Sequence, residues 1–177
     1  SPESARAGTR YGLGKSDERL KAAAALCLLM RGTPVLYYGE EIGMRDIHLP
    51  AKLFSRNEQD SRAPMQWNNQ KNAGFSSATP WLPINPDYEF RNVNAMIHDP
   101  HSLWTFYQSL IALRKHMISL RAGDLTLIDC KNESVLTFMR QYEKETTLVC
   151  LNLSQLTGTA DLREAGEKIT WKPRLSN

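Results

Sequence analysis

The sequence predicts an α/β segment followed by an antiparallel β module, and three observations carry that prediction. A nine-residue apolar run at 22–30 is followed, within a few residues, by a second apolar run at 35–38. Helix, tight turn and short buried strand, in that order, make up the repeating unit of α/β proteins. Between 39 and 100 no hydrophobic period is sustained, although the stretch holds six of the nine prolines together with Trp67 and Trp81. A helical rhythm returns at 101–120, and after Gly123 the chain changes to short β-rich runs. A single helix–strand–helix excerpt leaves strand edges unpaired. The expected architecture is therefore incomplete: residues 1–120 belong to a larger α/β domain and residues 121–177 open an all-β domain.

Each element has its own reason. Residues 1–15 are rich in Gly, Arg and Ser and read as a loop. Ser16 is the expected N-cap of a helix over 17–30, with Asp17 and Glu18 in the first turn, where they favour the positive end of the helix dipole. From Ala22 onward this helix is apolar almost all round, which predicts burial between other elements. Arg31 and Gly32 end it with a late cation and a C′ glycine. The run 35–38, bounded by Pro34 and Gly39, suits a parallel strand covered on both faces. The long stretch after it reads as a packed functional loop, because its aromatic and proline content argues for order. In the second helix, Leu103, Phe106, Tyr107, Leu110, Ile111, Arg114, Met117 and Ile118 keep the i, i+3, i+4, i+7 spacing, with Asp99 and Ser102 as cap candidates. Strands are expected at 125–128, 135–139 and 147–153, separated by Lys131-Asn132-Glu133 and by Glu143-Lys144-Glu145, with a fourth at 168–171.

Composition excludes several function classes. The 177 residues are 41% hydrophobic and 23% charged, a globular balance. Lys and Arg number 22 against 19 Asp and Glu, a formal charge of +3, and the two signs are interleaved. That reads as a solvated mixed surface, not a nucleic-acid patch. No segment approaches the roughly 20 apolar residues of a membrane span. No signal peptide is visible, but the chain opens on Ser1 and not Met, so the compartment stays open. Cys27, Cys130 and Cys150 lack metal-ligand spacing and are expected as buried free thiols, with a Cys130–Cys150 bridge as the alternative. His48, His98, His101 and His116 also lack metal-like spacing and read as surface residues; no metal and no cofactor is expected.

The informative motif is Gly32-Thr33-Pro34-Val35-Leu36-Tyr37-Tyr38-Gly39-Glu40-Glu41-Ile42-Gly43-Met44. A strand that ends at a glycine and two carboxylates would present them on the ligand face of a sheet or barrel. Alternatively, Glu40 and Glu41 cap a short turn. Further motifs come after it in order: Asp60-Ser61-Arg62-Ala63-Pro64-Met65-Gln66-Trp67-Asn68, then Asn72-Ala73-Gly74-Phe75-Ser76, then Pro80-Trp81-Leu82-Pro83-Ile84. Trp67, Phe75 and Trp81 read as loop core in preference to exposed stacking platforms for a ligand.

Together these motifs closely resemble the alpha-amylase superfamily, glycoside hydrolase family 13, in its alpha-glucosidase and oligo-1,6-glucosidase branch, from Ser1 to about Leu153. The resemblance implies a (β/α)₈ barrel followed by an antiparallel β domain. It makes the 17–30 helix the seventh of the barrel, 35–38 the eighth strand and 101–120 the eighth helix. A whole barrel needs about 250 residues, so this chain would be its C-terminal portion. The chemistry implied is retaining hydrolysis of α-glucosidic bonds in short oligosaccharides by two carboxylates, both upstream of Ser1. A chain without them should be inactive. A third carboxylate, in the family's Asn-His-Asp motif, falls at Ser1-Pro2-Glu3. Glu3 would replace the aspartate and Pro2 the histidine, while Arg6 and Thr9-Arg10-Tyr11-Gly12 match the family's residues C-terminal to that motif. Arg62 would lie near the pocket for the non-reducing-end glucose and pair with an upstream aspartate; the structural alternative is a staple between loop and barrel. Glu40 and Glu41 complete the expected substrate-binding set. Heavy chains of heteromeric amino-acid transporters resemble the same branch without its catalytic set, and Pro2-Glu3-Ser4 is similar to theirs. That alternative implies a membrane-anchored, catalytically silent subunit, whereas a bacterial-type glucosidase implies a cytoplasmic enzyme.

Overall fold

The computed structural model describes residues 4–11, 17–47, 57–166 and 170–175. The expected N-cap Ser16, the acidic Glu3 and His48 lie outside them. The chain divides into two compact units, one of residues 1–21 and 35–107, the other of residues 22–34 and 108–177.

The first unit begins with α1 (Ala7–Arg10). It is pinned by long-range bonds: the Arg6 backbone N–H donates to the Asp46 carboxylate at 3.2 Å, and the Asp46 N–H donates to Thr9 Oγ1 at 2.7 Å. Residues 35–38 form no strand, and Val35 is 81% exposed. An excerpt with unpaired strand edges is what the sequence predicts, and the run accordingly lacks, among the described residues, the parallel neighbours that would bury it as a strand. A strand is defined by its ladder, and this run belongs to no ladder among the described residues. Beyond it, Gly39 (φ 81°) and Gly43 (φ 66°) bracket a 3₁₀ turn over Glu40–Ile42. Both take the left-handed conformation that side chains resist, which explains a glycine at each end of Glu40-Glu41-Ile42.

The long aperiodic stretch is ordered around its own core. Ile42, Met44, Ile47, Ala63, Met65 and Leu82 are buried together, with Val93, Met96 and Trp104 packed against them. Gln66, fully buried, donates Nε2 to Asp87 Oδ1 at 2.9 Å and to the Arg91 carbonyl at 2.6 Å. Arg91 in turn donates to the Ile42 carbonyl at 2.8 Å and pairs with Asp17 at 2.8 Å. Buried polar groups need such partners, and these staple the 3₁₀ turn over Pro86–Glu89 and α3 (Val93–Met96) to the Glu40–Ile42 turn.

Two helices each contribute residues to both units. The first, α2 (Glu18–Leu29), buries Leu20, Ala24, Ala25, Leu28 and Leu29 but exposes Leu26 and Cys27. Burial between other elements is thus partial: the face carrying Leu26 and Cys27 is solvated, as expected of an excerpt that leaves apolar faces unpartnered. The second is α4 (Leu103–His116). Ser102 caps it as expected, its Oγ accepting from the Thr105 N–H at 3.1 Å and donating to the Met96 carbonyl at 2.8 Å. Ser102→Ala is expected to lower the free energy of unfolding by about 1 kcal/mol, as loss of an N-cap does; urea denaturation measures it. The single helix expected over 101–120 is in fact two, because the backbone is extended at Met117 before α5 (Ile118–Ala122). The break lets the Ser119 N–H and Oγ both donate to Glu145 Oε1 at 2.7 Å.

In the second unit the three strands expected after Gly123 are present: β1 (Asp124–Ile128), β2 (Val135–Tyr142) and β3 (Glu145–Asn152), paired antiparallel in the order β1-β2-β3. Phe138, Arg140 and Val149 are buried on one side. The hairpin closes through Glu143 and Lys144, with Tyr142 opposite Glu145, so Glu145 belongs to the strand and not the turn. Thr170 and Trp171 are in no strand, and the rest of the expected fourth strand lies outside the described residues. The cysteines are free, but only Cys130 is buried; Cys27 and Cys150 are exposed, which corrects the expectation for both.

Candidate functional site

Within the first unit, one cavity of about 370 Å³ gathers Glu41, Arg62, Trp67, Phe75 and Trp81, with Tyr38 and Leu82 among its walls. Three local features place them. Arg62 ends a 3₁₀ turn over Asn57–Arg62, and its neighbours Ser61 and Ala63 are buried, so the backbone is anchored on both sides of an exposed guanidinium. The Tyr38 hydroxyl donates to the Ala63 carbonyl at 2.7 Å, which ties the end of the 35–38 run to the Arg62 segment. The N–H groups of Trp67 and Asn68 both donate to the Ala73 carbonyl, at 2.9 and 3.1 Å, which folds Trp67 and Phe75 onto one side.

The aromatic residues expected as loop core are not core. Trp67 is 48%, Phe75 49% and Trp81 76% exposed, while Leu82 and Met65 beside them are buried. Flat aromatic faces and a forked guanidinium suit a polyhydroxylated ligand, whose C–H faces stack and whose hydroxyls accept from N–H donors.

The expected acidic pair is split. The Glu40 carboxylate accepts from the Tyr37 N–H at 3.4 Å and does not line the cavity, whereas Glu41 does. Burial pushes the Glu41 carboxyl above its ordinary value of 4.5, against the opposing charge of Arg6. The folded state then holds this proton more tightly than the unfolded chain. The stability involved is fully present below the ordinary value and is lost as pH rises through the raised one. Glu41→Gln is therefore expected to melt at a higher temperature than the parent at pH 7, with the gap closing at pH 4. Thermal denaturation at the two pH values measures it.

Arg6 is the residue whose weight sequence reasoning missed. It is 2% exposed and its guanidinium carbon lies 4.7 Å from the Tyr37 ring centre and 4.5 Å from that of Tyr38, between two π faces that attract a cation. Nη1 donates to the Tyr38 carbonyl at 2.5 Å, while Nε and Nη2 are buried without a hydrogen-bond partner among the described residues. The signal available in the sequence was an arginine and a Tyr-Tyr pair, each adjoining a glycine-bearing turn. Among the described residues no cluster of His, Cys, Asp or Glu could hold a metal ion, His98, His101 and His116 are all exposed, and no helix is long and apolar enough to cross a membrane.

Residues 3–123 match the alpha amylase catalytic domain, and residues 125–175 the C-terminal domain of maltogenic amylase. The chain belongs to the alpha-amylase family. Its fold is the C-terminal part of the family's barrel followed by an antiparallel β domain. Among curated relatives, this alpha-amylase family chain is 32% identical over 169 residues to an oligo-1,6-glucosidase of Parageobacillus thermoglucosidasius, covering 79% of this chain and 30% of that protein. It is 35% identical over 179 residues to the amino acid transporter heavy chain SLC3A1 of Rattus norvegicus, covering 98% of this chain and 26% of that one. Among solved structures it superposes on an isomaltulose synthase mutant of Erwinia rhapontici in complex with its natural substrate sucrose, with a TM-score of 0.75, 31% identity, 87% of this chain and 33% of that one. The chain thus spans about a third of the length of the relatives it matches.

Proposed function

We propose that the longer protein of which these residues form the C-terminal third cleaves or transfers terminal α-linked glucose from short oligosaccharides, by the retaining two-carboxylate route. The observation that carries this reading is the convergence of Arg62, Glu41 and three exposed aromatic faces on one cavity of about 370 Å³, a volume within the usual range for small-ligand pockets. In this reading Trp67, Phe75 and Trp81 stack on sugar rings, and Arg62 binds hydroxyls together with an upstream aspartate. Glu41 accepts a hydrogen bond from a sugar hydroxyl, and Glu40 supports the turn beside it. Glu3 stands where the family's third carboxylate stands, one methylene longer than the aspartate it replaces; misplacement on that scale can cost about a hundredfold. Residues 1–120 serve as the barrel portion and residues 121–177 as the start of the β domain. The ligand is an oligosaccharide, and no cofactor or nucleic acid takes part.

The likeness to SLC3A1 across nearly the whole chain favours a second reading, a catalytically silent subunit held at a membrane. Hydrolysis of p-nitrophenyl α-glucoside separates the two. The 177-residue chain is expected to show none above background, because both reacting carboxylates lie upstream, and the longer protein is expected to turn over. Turnover by a homogeneous 177-residue sample would overturn the assignment of those carboxylates. An inert longer protein that sediments with membranes would establish the second reading.

A further inference from the structure

We infer that the second unit binds a small, doubly charged oxyanion of the phosphate class in a cleft lined by Arg31, Gly32, Thr33, Arg114, Arg121 and Gly123. The cleft measures about 450 Å³, and Arg31, Gly32, Thr33 and Arg121 are exposed along it.

Positive charge in and beneath this cleft exceeds its counter-charge. Four guanidinium groups, those of Arg31, Arg114, Arg121 and Arg140, come together here, and the charges of Arg114 and Arg31 reach the buried Arg140. Among the described residues, two carboxylates answer them. Asp124 lies 3.4 Å from Arg31, and Glu145 feels the charge of Arg121. Arg114 and Arg140 bond only to carbonyl oxygens. Arg114 donates Nη1 to Leu28 at 2.5 Å and to Met30 at 3.1 Å, and Nη2 to Gly32 at 2.5 Å; Arg140 donates to Leu29 and to Gly123 at 2.8 and 2.9 Å. All but the Gly123 carbonyl lie at the C-terminal end of α2, whose dipole supplies only about half a negative charge. Among the described residues, two formal positive charges therefore stay unbalanced.

The unbalanced groups still have donors to offer. A guanidinium carries five N–H donors, so Arg114 retains its Nε–H and one Nη2 hydrogen, and Arg121 is exposed at the end of α5. Arginine forks pair bidentately with tetrahedral and planar oxyanions. The charge distinguishes between these two. A monocarboxylate leaves one cation unmatched, whereas a phosphate monoester carries about −1.5 to −2 at pH 7 and balances both. Free inorganic phosphate and a phosphorylated sugar offer the same chemistry.

Isothermal titration at constant ionic strength, set with sodium chloride, tests the inference on the full protein, with inorganic phosphate and with glucose 6-phosphate as separate ligands. Saturable binding with a Kd below about 1 mM is expected for at least one of them, on the order of the affinity a few charge-assisted hydrogen bonds provide. The variant carrying Arg31→Ala and Arg121→Ala is expected to lose about tenfold or more in affinity. Both residues are exposed, so its melting temperature without anion should match the parent's. Arg121→Glu alone is expected to abolish binding. A tenfold preference for glucose 6-phosphate would identify an organic ester as the ligand, and equal affinities would identify inorganic phosphate. Absence of saturable binding by either ligand, or binding that the double variant leaves unchanged, would overturn the inference.

Discussion

Replacing Arg62 by alanine in the longer protein is expected to lower kcat/KM for small α-glucosides by about ten- to a hundredfold while leaving the melting temperature within a degree or two. The guanidinium is exposed into the cavity shared with Glu41 and the three aromatic faces, and no ion pair ties it to the described residues. Among the described residues no fold contact goes with it, and in the proposed site its loss falls on the ligand. A hydrogen bond to a charged group contributes about 1.5–3 kcal/mol, which sets the range. In the one-sugar pocket proposed above, that loss appears in the specificity constant. Arg62→Lys is expected to restore little, because an ammonium does not reproduce the planar fork. Normal kinetics with a clearly lowered melting temperature would make Arg62 a loop staple and remove it from the site.

Arg140→Ala is expected to destabilise the protein by about 3 kcal/mol. The side chain is fully buried on β2 and holds the Leu29 and Gly123 carbonyls. An unsatisfied buried acceptor costs about 1–3 kcal/mol, and two are created at once. One effect opposes this. Burial holds the Arg140 pKa below its ordinary value, helped by Arg114 and Arg31, so removing the cation also removes a desolvation penalty. The two lost acceptors outweigh it, since the guanidinium has carbonyl partners for both of its Nη groups. Arg140→Met separates the causes. It keeps most of the volume and loses the donors, and should be nearly as unstable as alanine. Arg31→Ala, at an exposed ion pair 3.4 Å long, should change stability by less than about 0.5 kcal/mol. Urea titration reads all three, and a parent-like midpoint for both Arg140 variants would show that water satisfies the two carbonyls.

Local pattern was sufficient wherever an element depends on its own residues. The spacing of Leu103, Tyr107 and Leu110, all buried, declared α4, and Ser102 declared its start. The three β-rich runs after Gly123 became β1, β2 and β3 because alternation and turn residues act over a few positions. The ordered motifs from Gly39 to Ile84 were enough for family membership, since several spaced matches in one order are far more specific than any one of them. Gly39 and Gly43 stand where a left-handed backbone requires them, which is why that motif was legible from residue identity alone.

Whatever depends on partners distant in sequence was decided by the tertiary structure. The run 35–38 has the composition of a buried strand, but a strand needs a ladder, and Val35 is instead 81% exposed. Trp67, Phe75 and Trp81 have the composition of core, yet the Ala73 carbonyl folds the backbone at Trp67 toward Phe75, all three line a cavity, and Leu82 takes the interior. Glu40 and Glu41 are adjacent and chemically alike; only the path of the 3₁₀ turn sends one to a backbone N–H and the other to the cavity that Arg62 also lines. Arg6 and Arg140 look like any surface arginine in the sequence. Their burial depends on Tyr37 and Tyr38 for the one, and on the end of α2 for the other, at separations from which hydrophobic periodicity carries no signal. Residue identity and short-range spacing established which elements form and which family they belong to. Burial and charge balance, which sum over neighbours the linear chain does not reveal, established which of their side chains are free to act.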